Sequence, residues 1–280
     1  MTDLPAIAVI AEPESGELAD RAASLAGTLG LPVVANLASC LESKTEEPEF
    51  CAALVVTAAR LELREVMASP NGDRSKRFGP AIWADFSGGR LGHRAGSPGG
   101  GAAMLRRAVG FKAPPWQVCD ATAGLARDAF LLASIGCTVT AIERSAVVAA
   151  LVADGVARAR QSADQQVLDA IDRITWVAAD SRAWLASRRS VGELNRPDVV
   201  YLDPMFPPRG KSALVKKEMR LCRLAAGDDG DAGELLALAR LAAKSRVVVK
   251  RPVGAAPLAE GVAYEYAGRT IRYDVYLPTG

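Results

Sequence analysis

Histidine is almost absent from this sequence, since His93 is the single one in 280 residues. A metal site with two histidine ligands is therefore excluded, and we expect no bound metal. A hydrolase of the serine–histidine–aspartate type would have to use His93, and no G-x-S-x-G segment marks a nucleophilic serine. The composition thus gives no support to triad hydrolysis.

Cysteine pairs and long hydrophobic runs are also missing. The five cysteines are widely spaced and form no C-x-x-C pair, which argues against a disulfide framework or a zinc site and fits a reducing compartment. The short apolar run near the amino terminus follows no basic segment and lies between Pro5 and Glu12, so it resembles neither a signal peptide nor a spanning helix. We therefore expect a cytoplasmic protein with no membrane role.

Half of the residues are hydrophobic and about a quarter are charged, which is typical of a globular protein with one large or two modest domains. Residues 1–112 predict a small mixed α/β unit, with strands at Ala6–Ala11 and Cys51–Thr57 and a helix at Ser15–Leu29. A short strand is also expected at Pro32–Asn36, and the alternation in Ala81–Phe86 predicts a half-exposed strand. The segment Leu61–Met67 fits a strand or a helix equally well. From residue 113 to 280, strands and helices alternate as in a doubly wound sheet.

Four acidic residues stand at the ends of four predicted strands in this second part. They are Asp120, Glu143, Asp180 and Asp203. Parallel strands bring their carboxyl ends to one edge of a sheet, where ligands of open α/β folds bind. The four carboxylates are therefore expected to line a single pocket.

The loop after the first of these strands contains one glycine, Gly124, whereas a dinucleotide pyrophosphate needs G-x-G-x-x-G. Glu143 lies nineteen residues further on, the distance at which an acid binds ribose hydroxyls. S-Adenosylmethionine (SAM) has a ribose but no phosphate, so this pattern favours SAM over a nicotinamide cofactor. Asp120 or Asp128 could reach the methionine ammonium group, and Asp180 with Ser181 the adenine amino group.

The segment Asp203-Pro204-Met205-Phe206 follows an apolar strand that begins at Val199. The Asp203 carboxylate and the Pro204 carbonyl could each accept one hydrogen of an exocyclic amino group and thereby turn its lone pair toward a methyl donor. Phe206 could stack on the base, a contact of roughly 1–3 kcal/mol. The alternative is a proline-rich turn that Asp203 merely caps.

Basic residues form two local clusters although the net charge is only +2. The first surrounds the glycine-rich segment 87–101, which is either a phosphate-contacting loop or a flexible linker. The second follows the Asp-Pro segment directly. Local clusters of this kind attract polyanions, although a solvated face is the alternative reading. The residues that we expect to bind RNA are Arg90, His93, Arg94, Arg209, Lys211, Lys216, Lys217 and Arg220.

Taken together, these motifs resemble the bacterial small-subunit ribosomal RNA guanine-N2 methyltransferase J family. The resemblance rests on residues 120–130, 142–144, 148–155, 199–207, 211–220 and 247–252, and it covers most of the chain from about Phe78 onward. It implies a Rossmann-like methyltransferase sheet and transfer of a methyl group from SAM to the N2 amine of one guanine in 16S rRNA or the small ribosomal subunit. The implied cofactor contacts are Arg127, Asp128, Glu143, Arg144, Asp180, Ser181 and Asp203.

Two alternatives stay open at this point. An Asp-Pro-x-Phe segment also occurs in amino methyltransferases that act on other nucleic acids or on protein glutamine, and the preference for guanine comes from the resemblance. An RNA-binding or ribosome assembly protein without catalysis would carry the same basic clusters. One departure from the family is Ala126, which replaces a glycine common in this loop.

Overall fold

The computed structural model describes residues 7–12, 16–34, 50–66, 79, 81–86, 101–110, 116–161, 164–188, 192, 195–204, 221, 224–225 and 231–279. The chain divides into two compact units. The first consists of Met1–Ala84, Ser145–Arg158 and Pro207–Asp228, and the second of Asp85–Arg144, Ala159–Phe206 and Asp229–Gly280. These units group residues by packing, so the domain boundary expected near residue 112 stays a prediction.

The first unit contains a three-stranded sheet. Its elements are β1 (Ile7–Glu12), α1 (Glu17–Leu29), β2 (Ala52–Thr57) and β3 (Leu61–Glu65). The order is β1-β2-β3, with β1 parallel and β3 antiparallel to β2. The first two strands and the helix agree with the sequence prediction, and residues 61–65 of the undecided segment form a strand.

Two predicted strands of this unit are wrong in extent. Within the described residues, the segment predicted from Pro32 is only a bridge between Val33 and Val9, and the segment 81–86 is only a bridge between Ile82 and Leu63. The alternation read from the second segment is nevertheless present, because Ile82, Ala84 and Phe86 are buried. The alternation of residues predicted correctly which side chains are buried. It could not show whether a neighbouring strand would form a ladder of hydrogen bonds with this segment.

The elements from residue 101 onward follow one another as helices and strands. They are α2 (Gly101–Val109), β4 (Gln117–Asp120), α3 (Arg127–Ser134), β5 (Thr138–Glu143), α4 (Ala146–Arg160), α5 (Gln165–Asp172), β6 (Ile174–Ala178), α6 (Ser181–Arg188), β7 (Val199–Leu202), α7 (Ala232–Ala242), β8 (Arg246–Pro252), β9 (Val262–Ala267) and β10 (Ile271–Tyr276).

The second unit is built on a seven-stranded sheet of order β6-β5-β4-β7-β8-β10-β9. Strands β4 to β8 are parallel, and β10 runs antiparallel to both β8 and β9. The chain moves outward from β4 to β6 and then returns to place β7 on the other side of β4. This reversal creates a switch point at the carboxyl ends of β4 and β7, where ligands of doubly wound sheets bind.

The centre of the sheet is apolar on both faces, as expected for parallel strands covered by helices. All four residues of β7 are fully buried. Val200 and Leu202 belong to a core cluster with Leu236 of α7. The remaining residues of β7 therefore point to the opposite face, because side chains alternate along a strand.

Two helices were missed by the sequence analysis. Helix α2 buries Ala102, Leu105 and Ala108 at helical spacing, a pattern hidden by the glycine-rich segment before it. Helix α5 begins after Asp164, whose carboxylate accepts hydrogen bonds from the amides of residues 166 and 167. Because aspartate is a preferred N-cap residue, Asp164 could have predicted the start of this helix from the sequence. No helix in the described part of the chain is long and apolar enough to cross a bilayer.

Candidate active site

The switch point is held together by backbone contacts between two strand ends. Asp120 is the last residue of β4, and Asp203 directly follows β7. The amide of Asp203 donates to Thr122 Oγ1 at 2.6 Å, and the amide of Ala121 donates to the Tyr201 carbonyl at 3.0 Å. The loop after β4 therefore fixes the position of the backbone at Asp203.

Lys250 joins two carboxylates at this edge. Its Nζ lies 2.6 Å from Asp128 Oδ2 and 2.8 Å from Asp203 Oδ2. Tyr201 Oη also donates to Asp128 Oδ2, at 2.7 Å. The side chains of Lys250, Asp128 and Asp203 are 23%, 21% and 38% exposed, so the network is partly open to solvent.

Strand register explains this convergence. Leu202 pairs with Val249, so the next residues, Asp203 and Lys250, lie side by side at the point where β7 ends. Tyr201 and Asp203 share a face of the sheet because they are two residues apart. Helix α3 supplies Asp128 to the same face, as the bond to Tyr201 requires.

The charge of Lys250 follows from its neighbours. Burial by itself lowers the pKa of Lys250, but the negative charges of Asp203 and Asp128 raise it more, so the net pKa lies above its ordinary value. Lys250 is therefore a cation at neutral pH. The sequence analysis named neither Lys250 nor Tyr201. Lys250 could have been predicted from its position. It follows the apolar run of the fifth strand, at the edge where four carboxylates were expected.

Asp120 is a carboxyl group with an incomplete set of hydrogen bonds. It is 1% exposed. Its Oδ1 accepts from the Thr122 amide at 3.1 Å, whereas its Oδ2 has no hydrogen-bond partner in the described part of the chain. Burial, followed by the negative charge of Asp128, raises the pKa of Asp120 well above its ordinary range. A buried oxygen of this kind needs a donor, and an ammonium group of a ligand would supply one.

The loop between β4 and α3 allows one close approach of backbone. Gly124 has φ +53°, and its amide donates to Glu143 Oε2 at 3.0 Å. Ala126 also adopts a left-handed conformation, with φ +59°, which costs a residue with a Cβ about 1–2 kcal/mol. The acid at the end of β5 thus sits beside the single glycine of the loop. Arg127 and Arg144 are exposed on the same unit.

The third strand end carries an acid that already has protein partners. Asp180 Oδ1 accepts from the amides of Arg182 and Ala183, so Asp180 caps α6. The hydrogen bond from the Arg182 side chain is the largest of the effects that lower the pKa of Asp180. Ser181 Oγ donates to the Ala121 carbonyl at 2.6 Å. The expected adenine contact of Asp180 and Ser181 stays a prediction.

The expected site residues thus fall into two groups. The structure brings Asp128 and Asp203 to one lysine, places Pro204 in a buried position beside them, and sets Glu143 against Gly124. Nine further expected residues lie outside the described ranges: Phe206, Arg90, His93, Arg94, Arg209, Lys211, Lys216, Lys217 and Arg220. Within the described ranges, no group of three histidine, cysteine, aspartate or glutamate residues could hold a metal ion.

The sheet, its switch point and its carboxylates define a SAM-dependent methyltransferase. A family model with this description, SAM_MT, matches residues 38–278. The chain belongs to the ribosomal RNA small subunit methyltransferase J family, which confirms the resemblance read from the sequence. A relative of that name from Thioalkalivibrio sulfidiphilus is 43% identical over 265 residues, which cover 94% of this chain and 95% of the relative.

Two further similarities support the assignment. A Pseudomonas aeruginosa protein with the same name is 41% identical over 284 residues, covering 99% of this chain and 97% of that one. A solved structure of a SAM-dependent methyltransferase from Neisseria gonorrhoeae is 33% identical, with a TM-score of 0.67 and coverage of 98% and 96%. The predicted α/β methyltransferase fold is therefore confirmed.

SAM is the cofactor of this family, and the residues present fit it. The buried Asp120 Oδ2 without a partner suits a cationic donor such as the methionine ammonium group. The single close backbone approach at Gly124 suits a nucleoside without phosphates. The carboxylate of Glu143 suits a pair of ribose hydroxyls.

Proposed function

We propose that this protein transfers a methyl group from SAM to the N2 amine of one guanine in 16S rRNA. The observation that carries the proposal is the placement of Asp203 at the switch point, with its carboxylate bound by Lys250, its amide bound by Thr122, and Pro204 directly after it. The names of the relatives support small-subunit ribosomal RNA as the substrate. The family resemblance supports guanine N2.

The cofactor side of the site is assigned to the residues at the first three strand ends. Asp120 and Asp128 are proposed to bind the methionine ammonium group and Glu143 the ribose hydroxyls. Asp180 and Ser181 are proposed to recognise the adenine, with Arg127 and Arg144 as further contacts. Bound SAM supplies an electrophilic methyl group on a sulfonium centre.

The target side of the site belongs to the Asp-Pro-x-Phe segment. The lone pair of a guanine amino group is spread into the ring, so the amine is a poor nucleophile. Asp203 and the carbonyl of Pro204 would each accept one amino hydrogen and turn the lone pair out of the base. Phe206 would stack on the base. Positioning supplies most of the rate, and the product amine loses its proton after transfer, so no strong base is needed.

Recognition of the RNA is assigned to the basic clusters. We propose that Arg90, His93 and Arg94 of the glycine-rich segment bind phosphates, together with Arg209, Lys211, Lys216, Lys217 and Arg220 that follow the Asp-Pro segment. A base in structured RNA must be splayed out to enter the site. A cytoplasmic location, where ribosomal subunits are made, is part of this proposal.

The test is methyl transfer by the purified protein from tritiated SAM to ribosomal RNA of a deletion strain. Free 16S rRNA and assembled small subunits are compared as substrates, and the labelled nucleotide is identified by digestion and mass spectrometry. We expect label on N2 of a single guanine. Label on adenine would contradict the guanine assignment. RNA binding with no incorporation on either substrate would instead favour an assembly protein.

A further inference from the structure

We propose that Lys250 is a positioning residue for methyl transfer, which holds Asp203 and Asp128 side by side and keeps Asp203 as a pure hydrogen-bond acceptor. The inference rests on the proposed function, because it assigns a role to Asp203 during transfer. Lys250 contacts both carboxylates, at 2.8 Å and 2.6 Å respectively. It comes from the fifth parallel strand, so it joins elements that are far apart in sequence.

The charge balance at this edge of the sheet depends on Lys250. Asp128 and Asp203 contact the same ammonium group, and the negative charges of both also raise the pKa of Asp120. Carboxylates that share a site cannot all remain ionised without a cation between them. Lys250 is placed between two of them, and its own charge is maintained by both.

The proposed reaction needs Asp203 in its ionised form. An ionised carboxylate only accepts hydrogen bonds, whereas a protonated one also donates. A proton on Asp203 would donate to the amine lone pair and compete with the methyl group for it. An adjacent ammonium group favours the ionised form, so Lys250 preserves the acceptor that the amine requires.

Lys250 also fixes the distance between the two sides of the proposed site. Asp128 is bound on the same Oδ2 by Lys250 Nζ at 2.6 Å and by Tyr201 Oη at 2.7 Å. Lys250 therefore connects helix α3, which carries a proposed cofactor contact, with the strand end that carries the target contact. A shift of about 1 Å between two such groups can lower a rate about 100-fold.

The groups that face Lys250 come from several elements. They are Asp128 of α3, Tyr201 and Asp203 at the end of β7, and Tyr273 of β10, with Asp120 of β4 close by. The two tyrosines are neutral at neutral pH, because burial raises the pKa of each hydroxyl. Removal of Lys250 thus leaves an uncompensated negative charge, and one carboxylate would take up a proton at a higher pH than in the wild type.

The experiment compares Lys250→Met, Lys250→Arg and the matched control Lys244→Met. Lys244 lies two residues before the start of the same strand, with Nζ 2.7 Å from Asp198 Oδ1 and side-chain exposures of 25% and 26%. The measurements are kcat and KM on 16S rRNA, the pH dependence of kcat, SAM affinity by calorimetry, and thermal unfolding.

We expect Lys250→Met to lower kcat about 100-fold with a smaller change in KM. The acid limb of its pH profile moves to higher pH, and its SAM affinity falls. Lys250→Arg keeps the pH profile near the wild-type position because it keeps the charge, while its kcat stays reduced because a guanidinium has a different shape. Lys244→Met retains wild-type kcat, pH profile and SAM affinity.

Three results would overturn the proposal. The first is wild-type kcat in Lys250→Met. The second is a displaced pH profile in Lys250→Arg, and this measurement tests the proposal even if Lys250→Met does not fold. The third is an equal loss of kcat in Lys250→Met and Lys244→Met. If the wild-type protein transfers no methyl group to 16S rRNA, the proposed function fails by itself. The calorimetry then decides on Lys250, because equal SAM affinities in the wild type and Lys250→Met exclude the link to Asp128.

Discussion

Two aspartate–lysine pairs flank the paired residues of β7 and β8, one at each end, and the two pairs differ in what surrounds them. At the amino end, Asp198 lies 2.7 Å from Lys244. The other carboxylate oxygen of Asp198 accepts from the amide of Gln117 at 2.8 Å. One anion meets one cation there, and both oxygens of the anion are used to join strands.

At the carboxyl end, Asp203 lies 2.8 Å from Lys250, which is nearly the same distance. Lys250 is shared with Asp128, and the buried Asp120 is close by. Carboxylates therefore outnumber the ammonium group that holds them. An ion pair by itself therefore does not indicate function. An excess of one charge near the surface at a switch point is, in contrast, typical of a ligand site.

The largest difference in kcat between the two ends is expected when the aspartate at each end is replaced in turn. Asp203→Ala should lower kcat on 16S rRNA roughly 1000-fold, the order of loss when one preorganised transition-state contact is removed. RNA affinity in a gel-shift titration should be unchanged. Asp198→Ala should reduce thermal stability and leave kcat of the folded protein intact. Equal kcat losses in both variants would show that the two ends do not differ in function.

A second prediction separates the carboxylate edge from the basic cluster that follows Asp203 in the sequence. Charge reversal at Lys216 and Lys217 should weaken RNA binding about tenfold or more and reduce the slope of log affinity against log salt by about 1–2. SAM affinity should not change, because phosphates and SAM use different residues. Arg160→Glu, at an exposed arginine paired with Asp172, is the control. An unchanged salt slope in the lysine variant would identify the cluster as a solvated surface.

A third prediction uses the pH dependence of stability at Asp120. Its pKa is raised in the folded state, so the contribution of Asp120 to stability is present at acid pH and is lost as the pH rises through the folded pKa. Asp120→Asn carries no charge at any pH. It should unfold at a higher temperature than the wild type at mildly alkaline pH, with the difference shrinking in acid, and it should bind SAM more weakly. A constant difference across pH would argue against a buried titrating carboxyl group.

The smallest expected effect concerns the backbone of the cofactor loop. Ala126→Gly should raise the free energy of unfolding by at most about 1 kcal/mol, because glycine adopts φ +59° without a steric penalty but loses more entropy on folding. Ala123→Gly, in the same loop and without a positive φ, should lower stability instead. Urea titration of both variants measures the contrast, and two changes of the same sign would contradict it.

The succession of strands along the chain and the residues at their ends followed closely from the sequence, whereas the roles of individual carboxyl groups did not. Asp120 and Asp203 look alike in sequence, since each follows an apolar strand. The fold buries one and leaves the other 38% exposed. That difference depends on the tertiary packing around each strand end, which no local sequence pattern encodes. Lys250 was missed for a related reason, because only the register of β7 against β8 places it beside Asp203.

Strand β10 lies between β8 and β9, although it follows both in the chain. During folding, β9 therefore has no edge of the sheet to join until β10 has paired with β8. The edge of β8, with Lys250 near its end, stays unpaired throughout that interval. An open edge in a half-made sheet is a template for pairing with other chains. The folding chain is therefore most open to pairing with other chains before the β9–β10 hairpin docks on β8.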